Sequence, residues 1–394
     1  MDTVASGLEV FLDDISDHAG LAEGARVGLV VHPASVDRGY RHTVDLIREC
    51  GGLDVRRLFA PEHGTGGEAQ DMETVGQTVD PESGLPVVSL YGDNLESLRP
   101  DIADLKGLDA VIFDLQDVGS RYYTYVTTLS FVMETAREAG LAVVVLDRPN
   151  PIGGVELEGP LLHPSMTSFV GRYPIPPRHG MTAGELALLY NDAFGIGCDL
   201  RVVPMQGWHR SMFMDETGLP FITPSPNMPD LQTAVVYPGA CLLEGTNLSE
   251  GRGTTQPFLQ FGAPWIDGRA WAGRLPREGT VPRPVSFRPM FQKHAGSRCG
   301  GLFLHVEDRR VFRSFTWYLE AIRIARELDP DRFDWRRETY EFENDRLAID
   351  LLLGRPEIRE GLEQGVPVSQ LEDSWRQDLE RFRSDRRPYL LYPE

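Results

Sequence analysis

A short acidic motif follows one of the apolar segments of this sequence. Glu62-His63-Gly64 follows Val55–Ala60, a run with the composition of a buried strand, with one proline between them. A carboxyl group at the mouth of a buried strand is partly desolvated and holds its proton more readily, which suits a general acid. We therefore interpret Glu62 as a candidate proton donor. The alternatives are that it caps the next segment or pairs with an arginine.

A second stretch, residues 114–125, is denser in polar groups. In an extended chain Asp114 and Gln116 share one face, and Asp117 falls in the turn that follows. Arg121 comes next, together with three tyrosines that include Tyr125. Acid, amide, guanidinium and phenol groups in one place are typical of a site for a sugar or polyol. The alternative is a helix-capping loop with buried tyrosines.

Two further loops carry candidate ligands. Asp147-Arg148-Pro149-Asn150-Pro151 ends another apolar run; its prolines fix the loop, while its polar side chains offer donors and acceptors. An internal Asp–Arg pair is the alternative there. His179 stands just before Thr182, which forms a capping-box pattern with Glu185. It can either bind a substrate or satisfy a loop carbonyl.

The stretch 244–255 is too polar for a core and too rich in glycine for a helix. Its glycines, Gly245, Gly251 and Gly253, permit the backbone to approach a ligand closely. The stretch lacks the G-K-[ST] ending of a phosphate-binding loop. We interpret it as a binding loop whose candidate ligands are Glu244, Asn247 and Arg252.

These motifs sit at the ends of predicted strands that alternate with predicted helices. The strands are 26–31, 55–60, 86–90, 110–115, 141–146 and 200–203, and the helices are 40–50, 95–105, 123–139 and one that begins at 182. Nearly continuous Val, Leu and Ile strands separated by helices predict an α/β fold with a Rossmann-like, doubly wound, mainly parallel sheet. Ligands of such sheets bind outside the carboxyl ends of the strands, where the polar motifs lie.

The second half of the chain predicts a smaller α+β unit. Residues 234–243 have the composition of a strand, 301–307 predict another strand, and 314–328 predict a helix. The expected division is a catalytic domain over residues 1–245 and an auxiliary domain over residues 246–394.

Composition argues against several classes of partner. The chain has 394 residues and a formal net charge of −20, which disfavours nucleic acid and anionic membranes. Its four cysteines are far apart, so a zinc knuckle is not expected. The longest aliphatic run, residues 141–146, is much shorter than a membrane span. The first residues show no signal peptide, which predicts a cytoplasmic protein, or an exported one whose leader has been removed.

Several familiar catalytic patterns are missing. His63, Asp114, Asp117 and His179 could in principle hold a metal, but no H-E-x-x-H spacing supports such a site. A nucleophile elbow, G-x-S-x-G, is lacking. The first strand is followed by His32-Pro33-Ala34-Ser35 rather than by G-x-G-x-x-G, which disfavours a dinucleotide cofactor.

Taken together, the motifs resemble one family, the exo-acting β-N-acetylmuramidases. The stretches that carry the resemblance are Pro61-Glu62-His63-Gly64, Ser89-Leu90-Tyr91-Gly92, residues 113–125, 147–151, 225–229 and 244–254, Gly262-Ala263-Pro264-Trp265 and Tyr340-Glu341-Phe342. They cover nearly the whole chain. One departure is His32, where the family pattern has Asn.

The resemblance implies a Rossmann-like catalytic domain, a smaller domain that closes over the cleft, and no cofactor. It also implies hydrolysis of a non-reducing terminal N-acetylmuramic acid from peptidoglycan fragments, in cell-wall turnover and recycling. On this reading Glu62 is the general acid, and the second catalytic group is Asp114, Asp117 or Glu244. The substrate's own acetamido oxygen is the favoured nucleophile. The expected substrate-binding residues are His63, Gln116, Arg121, Tyr125, Arg148, Asn150, His179, Glu244, Asn247 and Arg252.

The lactyl carboxylate of N-acetylmuramic acid needs a cationic partner in an acidic protein. Arg121, Arg148 and Arg252 are the candidates, because a planar guanidinium binds a carboxylate through two hydrogen bonds. Two other functions fit the same residues: a non-catalytic muropeptide- or sugar-binding protein, and a metal-dependent hydrolase.

Overall fold

The computed structural model of the protein describes residues 3–62, 64, 78–92 and 94–394. His63, a predicted substrate ligand, lies outside the described residues.

A sheet at the centre of the N-terminal part positions the motifs. Its described strands are β1 (Ala25–Val31), β2 (Leu53–Ala60), β3 (Thr78–Val79), β4 (Pro86–Ser89), β5 (Ala110–Asp114), β6 (Ala142–Leu146) and β7 (Asp199–Val203). They lie in the order β3-β4-β2-β1-β5-β6-β7. All neighbouring pairs are parallel except β3 and β4.

Helices cover both faces of this sheet. They are α1 (Gly7–Asp13), α2 (Ile15–Ala19), α3 (Thr43–Cys50), α4 (Ile102–Leu105), α5 (Tyr125–Ala139) and α6 (Ala183–Asp192). Alternate residues of β5 pack on opposite faces: Ile112 joins the apolar cluster that contains α1 and α3, whereas Phe113 joins the cluster that contains α5 and α6. Burial on both faces explains why the strands read as continuous apolar runs.

The C-terminal part combines a small sheet with a group of helices. Its elements are α7 (Leu231–Ala240), β8 (Gln260–Ala263), α8 (Gly268–Ala272), β9 (Thr280–Phe287), β10 (Cys299–Val306), α9 (Ser314–Leu328), α10 (Ala348–Leu353), α11 (Pro356–Glu363) and α12 (Val368–Asp385). The strands form an antiparallel sheet in the order β8-β10-β9. Helices α9 and α10 share one apolar cluster with α5 and α6, so the two parts pack on a common core.

The predicted fold class is confirmed: a parallel α/β sheet with flanking helices is followed by a small antiparallel sheet. The division at residue 245 stays a prediction. No described helix combines the length and apolarity that a bilayer crossing requires.

One predicted strand is wrong. Residues 234–243 are not extended; they belong to α7 and to a 3₁₀ turn, Cys241–Gly245, that continues from it. Residues 233–240 are buried all round, so the run shows no helical alternation of polar and apolar residues. The local signal for the helix is Asp230, whose carboxylate accepts the backbone N–H of Thr233 at 2.8 Å as an N-cap.

A buried carboxylate follows β6 and ties several segments together. Asp147 accepts hydrogen bonds from the Thr182 hydroxyl at 2.7 Å, from the Gly184 N–H at 2.8 Å, and from the Tyr392 hydroxyl. Burial raises the pKa of Asp147 from its ordinary 3.8 to about 6, although these hydrogen bonds oppose the rise.

This raised pKa predicts a pH dependence of stability. The folded chain binds a proton at Asp147 more tightly than the unfolded chain, so the contribution of this residue to the free energy of unfolding should fall by about 3 kcal/mol as pH rises from about 4 to about 6, and then level off. Urea denaturation across this range should show that Asp147→Asn removes that fall. Asp373→Asn, at an exposed ion pair on α12, is the control and should keep it. An unchanged pH dependence in Asp147→Asn would contradict the assignment.

Candidate active site

A cleft lies where the carboxyl end of the parallel sheet meets the C-terminal part. Its described lining is rich in aromatic and carboxylate side chains: Glu62, Tyr122, Tyr123, Thr124, Tyr125, Val170, Ser225, Asn227, Met228, Tyr237, Glu244, Arg252, Phe258, Tyr340 and Glu341. Four of the predicted site residues are among them: Glu62, Tyr125, Glu244 and Arg252. The position agrees with the general rule for ligand sites in parallel α/β sheets.

Glu62 enters this cleft from the end of β2. It is buried, and its carboxylate accepts the hydroxyl of Thr124 at 2.7 Å. Thr124 is the N-cap residue of α5, yet its side chain does not cap the helix, because the hydroxyl is directed to Glu62 instead. Among the described residues Glu62 has no cationic partner within ion-pair distance.

Glu244 reaches the cleft from the C-terminal part and is held differently. One of its oxygens pairs with a guanidinium nitrogen of Arg252 at 2.7 Å, and the other accepts the hydroxyl of Tyr340 at 2.8 Å. Arg252 also lies 3.5 Å from Glu250 and packs over the ring of Phe258. The two cleft carboxylates therefore differ in their surroundings: Glu62 contacts a neutral hydroxyl, whereas Glu244 belongs to an ion pair.

Lys293, which is not among the described residues that line the cleft, stabilises the loop that carries Glu244 and Arg252. Its ammonium group donates to the carbonyl oxygens of Leu243 and Leu248 and pairs with Glu250 at 3.0 Å. Burial works against ionisation of Glu250, but Lys293 and Arg252 outweigh it and hold the pKa of this carboxyl below its ordinary value.

The glycines of the same loop serve the protein rather than a ligand. A Cβ atom at Gly245 would lie 2.6 Å from the Cα atom of Ile349, and one at Gly251 would lie 2.0 Å from the carbonyl oxygen of Gln260. Close backbone approach was expected here, and it occurs, but the partner is this chain's own backbone.

Backbone conformations that L-residues rarely adopt occur around the cleft. Phe258, Glu341 and Phe342 have φ values of +65°, +45° and +68°. Each such residue costs free energy that its surroundings must offset, and residues of this kind concentrate at functional sites. Tyr91, after β4, donates its hydroxyl to Glu341 at 3.1 Å and so connects the sheet to this strained segment.

Asp114 and Arg148 lie behind the cleft, bound to each other. Both are buried, and the guanidinium of Arg148 forms two hydrogen bonds to the carboxylate of Asp114. Thr43 donates to the same carboxylate, and Arg148 also donates to the carbonyl oxygen of Val36 at 3.0 Å. This contact matches the internal Asp–Arg pair that the sequence left as an alternative, with Asp114 rather than Asp147 as the acid.

Other predicted ligands also contact the protein itself. Gln116 donates its amide to the carbonyl oxygen of Pro149 at 2.9 Å, and Asn150 donates to that of Met181 at 3.0 Å. Arg121 donates to the carbonyl oxygens of Ile175 at 3.1 Å and Leu352 at 2.6 Å. Burial lowers the pKa of Arg121 to about 10.

Asn247 lines a different cleft, on the far side of the glycine-rich loop, with Lys293, His294 and Arg336 among its neighbours. Its side chain donates to the carbonyl oxygen of Arg332 at 2.7 Å.

Asp117 and His179 form a buried pair beside the cleft. Their nearest side-chain atoms, Oδ2 and Nε2, are 3.6 Å apart. Asp117 accepts the N–H of Gly119 at 2.6 Å, and the Nδ1 atom of His179 accepts the N–H of Met181 at 3.2 Å. The latter bond requires the proton of a neutral His179 to sit on Nε2, facing Asp117.

Sequence reasoning assigned no role to several lining residues. Ser225, Asn227, Tyr340 and Glu341 belong to stretches that carried the family resemblance, and Tyr123 belongs to the predicted sugar-site motif. Their occurrence in stretches that resemble the family was the one sign in the sequence that they belong to the site. Their convergence depends on a contact between distant parts of the chain, which no local pattern reports.

A parallel sheet whose carboxyl edge carries a carboxylate-lined cleft places this protein among the α/β enzymes. A family model described as "Exo-beta-N-acetylmuramidase NamZ, N-terminal" matches residues 27–232, and the corresponding C-terminal model matches residues 235–392. The chain therefore belongs to the exo-β-N-acetylmuramidase NamZ family and is a glycoside hydrolase, which confirms the resemblance found in the sequence.

Individual relatives agree with this assignment. Peptidoglycan β-N-acetylmuramidase NamZ from Bacillus subtilis (strain 168) is 42% identical over 392 residues, which cover 99% of this chain and 91% of that protein. A crystal structure of a DUF1343 family protein from Bacteroides fragilis superimposes with a TM-score of 0.88 at 32% identity, with full coverage of both chains. A second DUF1343 protein from the same organism gives a TM-score of 0.78 at 29% identity, with 99% of each chain covered.

The contact between Asp114 and Arg148 predicts a large loss of stability when one partner is removed. Arg148→Leu should lower the free energy of unfolding by about 3–5 kcal/mol, because it leaves a buried carboxylate without its cation. Urea denaturation measures the loss, and adding Asp114→Leu should recover part of it. The matched control is Arg376→Leu, which breaks an exposed ion pair and should cost about 1 kcal/mol or less. A loss at Arg148 no larger than the control would mean that the pair contributes little.

Proposed function

We propose that this protein is an exo-acting β-N-acetylmuramidase that releases N-acetylmuramic acid from the non-reducing end of peptidoglycan fragments. Its family supports the reaction class, and the relative from Bacillus subtilis is named for the same bond and polymer. The observation that carries the proposal is the meeting of Glu62 and Glu244, from opposite parts of the chain, in one aromatic-walled cleft. Cleavage of such fragments belongs to the turnover and recycling of cell-wall material.

Glu62 is the general acid in this proposal. Glycoside hydrolysis requires one group that protonates the leaving oxygen and a second that supports the positive charge developing at the anomeric carbon. A proton donor must be able to hold its proton beside the substrate, and Glu62 has a neutral hydroxyl rather than a cation as its described partner. Glu244, ion-paired with Arg252, is the better choice for the group that stays charged.

Of the three candidates for the second group, Glu244 has the strongest support. Asp114 has both oxygens engaged by Arg148 and lies behind the cleft. Asp117 accepts a backbone N–H and faces His179 instead of lining the cleft. Glu244 alone of the three is among the described lining residues.

Bond cleavage then proceeds with participation by the substrate. Glu62 gives its proton to the glycosidic oxygen as the bond from that oxygen to C1 breaks. The carbonyl oxygen of the 2-acetamido group forms a bond to C1, giving a cyclic oxazolinium ion. Water, deprotonated by Glu62, opens this ring, and the configuration at C1 is retained. Glu244 stabilises the positive charge through space.

Recognition of the lactyl carboxylate falls to Arg252. Of the three arginines that the sequence offered, Arg121 and Arg148 are not among the described residues that line the cleft, whereas Arg252, which also pairs with Glu244, is. Arg252 carries the one positive charge among the described residues that line the cleft. An anionic substituent of the sugar therefore has its cationic partner at this position.

The role of Glu62 is tested by Glu62→Gln, which removes the proton while nearly preserving shape. Release of N-acetylmuramic acid from an N-acetylmuramyl-N-acetylglucosamine disaccharide should fall by about 100-fold or more, the scale of lost general acid catalysis. A substrate with a good leaving group should be less affected, because it needs less protonation.

The matched control for this test is Glu134→Gln. Glu134 lies on α5 and forms a partly exposed ion pair with Arg172, so this variant should keep wild-type turnover. Wild-type turnover of the disaccharide by Glu62→Gln would remove Glu62 from the role. Tight binding with no turnover by the wild-type protein would favour a sugar-binding function, and inactivation by a chelator would favour a metal-dependent hydrolase.

The role of Arg252 is tested by Arg252→Lys, which keeps the charge but loses the paired hydrogen bonds of a guanidinium. We expect the preference for N-acetylmuramides over N-acetylglucosaminides, measured as a ratio of kcat/KM values, to fall by about tenfold or more. Arg376→Lys, on the exposed face of α12, should leave that ratio unchanged. An unchanged ratio in Arg252→Lys would place the lactyl-binding group elsewhere.

A further inference from the structure

The entry to α5 places four hydroxyl groups in a row at the cleft, from Tyr122 to Tyr125. Three of them have protein acceptors. Tyr122 donates to the carbonyl oxygen of Pro238, Thr124 to Glu62, and Tyr125 to the carbonyl oxygen of Pro224.

Tyr123 is the exception in this row. Its side chain lines the cleft and is only 6% exposed, and its hydroxyl oxygen is buried without a hydrogen-bond partner. The hydroxyls of Ser225 and Tyr125 lie near enough to influence its pKa, but neither reaches hydrogen-bonding geometry in the described chain. A buried donor without an acceptor is costly, so such a group in a native protein requires an explanation, such as a bound ligand or water molecule.

The state of this phenol defines what it can bind. Burial raises the pKa of Tyr123 well above its ordinary value, and the charges of Asp117 and Glu62 add to the rise. The group therefore keeps its proton near neutral pH and acts as a hydrogen-bond donor. The complementary ligand atom is an acceptor oxygen.

The neighbouring charges decide which acceptor oxygen of the substrate fits. Asp117 is close enough to act electrostatically on Tyr123, so an anionic lactyl group is disfavoured there and fits better at Arg252. Glu62 acts on the oxygen attached to C1, and the acetamido group is attached to C2, the adjacent carbon. Tyr123 and Glu62 line the same cleft, and the carbonyl oxygen of that acetamido group is a neutral acceptor close to the reacting carbon.

We propose that the hydroxyl of Tyr123 binds the carbonyl oxygen of the sugar's 2-acetamido group and fixes its direction beside C1; this assignment rests on the proposed muramidase function. Tyr123 is then the residue through which the enzyme distinguishes a 2-acetamido sugar from one with a 2-hydroxyl group. It also orients the oxygen that attacks C1 in the first step.

The test compares Tyr123→Phe, which removes one oxygen atom, with the wild-type protein. Calorimetry would give the affinity of each protein for N-acetylmuramic acid and for its analogue with a 2-hydroxyl group, 3-O-lactylglucose. We expect Tyr123→Phe to lose about tenfold in affinity for N-acetylmuramic acid and little for the analogue, because only the former ligand supplies the acceptor. Equal losses for both ligands, or no loss for either, would overturn the assignment.

Stability separates ligand binding from a structural role. Tyr123→Phe should resist urea as well as the wild-type protein, because the missing hydroxyl had no partner to lose. Tyr125→Phe should be less stable, since it leaves the carbonyl oxygen of Pro224 without its hydrogen-bond donor. Tyr389→Phe, which breaks an exposed bond to Asp192, is the control and should bind both ligands normally.

Turnover of the disaccharide by the wild-type protein is measured separately and reports on the proposed function. Binding of N-acetylmuramic acid without turnover would contradict the hydrolase proposal while the affinities still decide the role of Tyr123. A wild-type protein that neither binds N-acetylmuramic acid nor hydrolyses the disaccharide would overturn both.

Discussion

A buried guanidinium connects the two parts of this protein. Arg121, at the entry to α5, donates to the carbonyl oxygen of Leu352 in α10 and to that of Ile175 in the N-terminal part. No carboxylate forms an ion pair with it within the described chain, so carbonyl dipoles stabilise the charge. Even with its pKa lowered to about 10 by burial, the group stays protonated near neutral pH. Because the next residues along the chain line the cleft, this contact positions the site as well as the two parts of the chain.

In the cleft, too, side chains from distant segments of the chain meet. Glu62 and its hydroxyl partner Thr124 come from the sheet and α5, while Glu244 and Tyr340 come from the C-terminal part. Each carboxylate is fixed by groups from its own side, so the cleft combines two environments that are each held within one part of the chain. This arrangement agrees with the preorganisation that catalytic electrostatics requires.

Much of the fold could be predicted because strand ends and loops are local features of the sequence. Glu62 follows β2 and Asp114 ends β5, as the apolar runs indicated. Residues 234–243 were assigned to a strand because a short run that is buried on every side shows no periodicity, and only Asp230 marks the helix.

The arginines show why the site itself was harder to predict. Arg121, Arg148 and Arg252 lie in equally polar sequence motifs, and only the three-dimensional arrangement shows that Arg148 is bound to Asp114 whereas Arg252 reaches the cleft. The residues at 225–228 and 340–341 join the cleft through contacts between distant segments, such as those of Tyr340 with Glu244 and of Glu341 with Tyr91, and neither segment carries a local signature of catalysis.

The net charge of the protein affects the rate at which an anionic sugar associates with it. With a net charge of −20, the surface repels such a ligand over a distance set by the Debye length, about 8 Å at physiological ionic strength. In the proposed binding mode, the contact with the mostly buried Arg252 is screened much less. Added salt therefore speeds association more than it weakens the bound state, which is the reverse of the usual behaviour of a cationic site that attracts its ligand from afar.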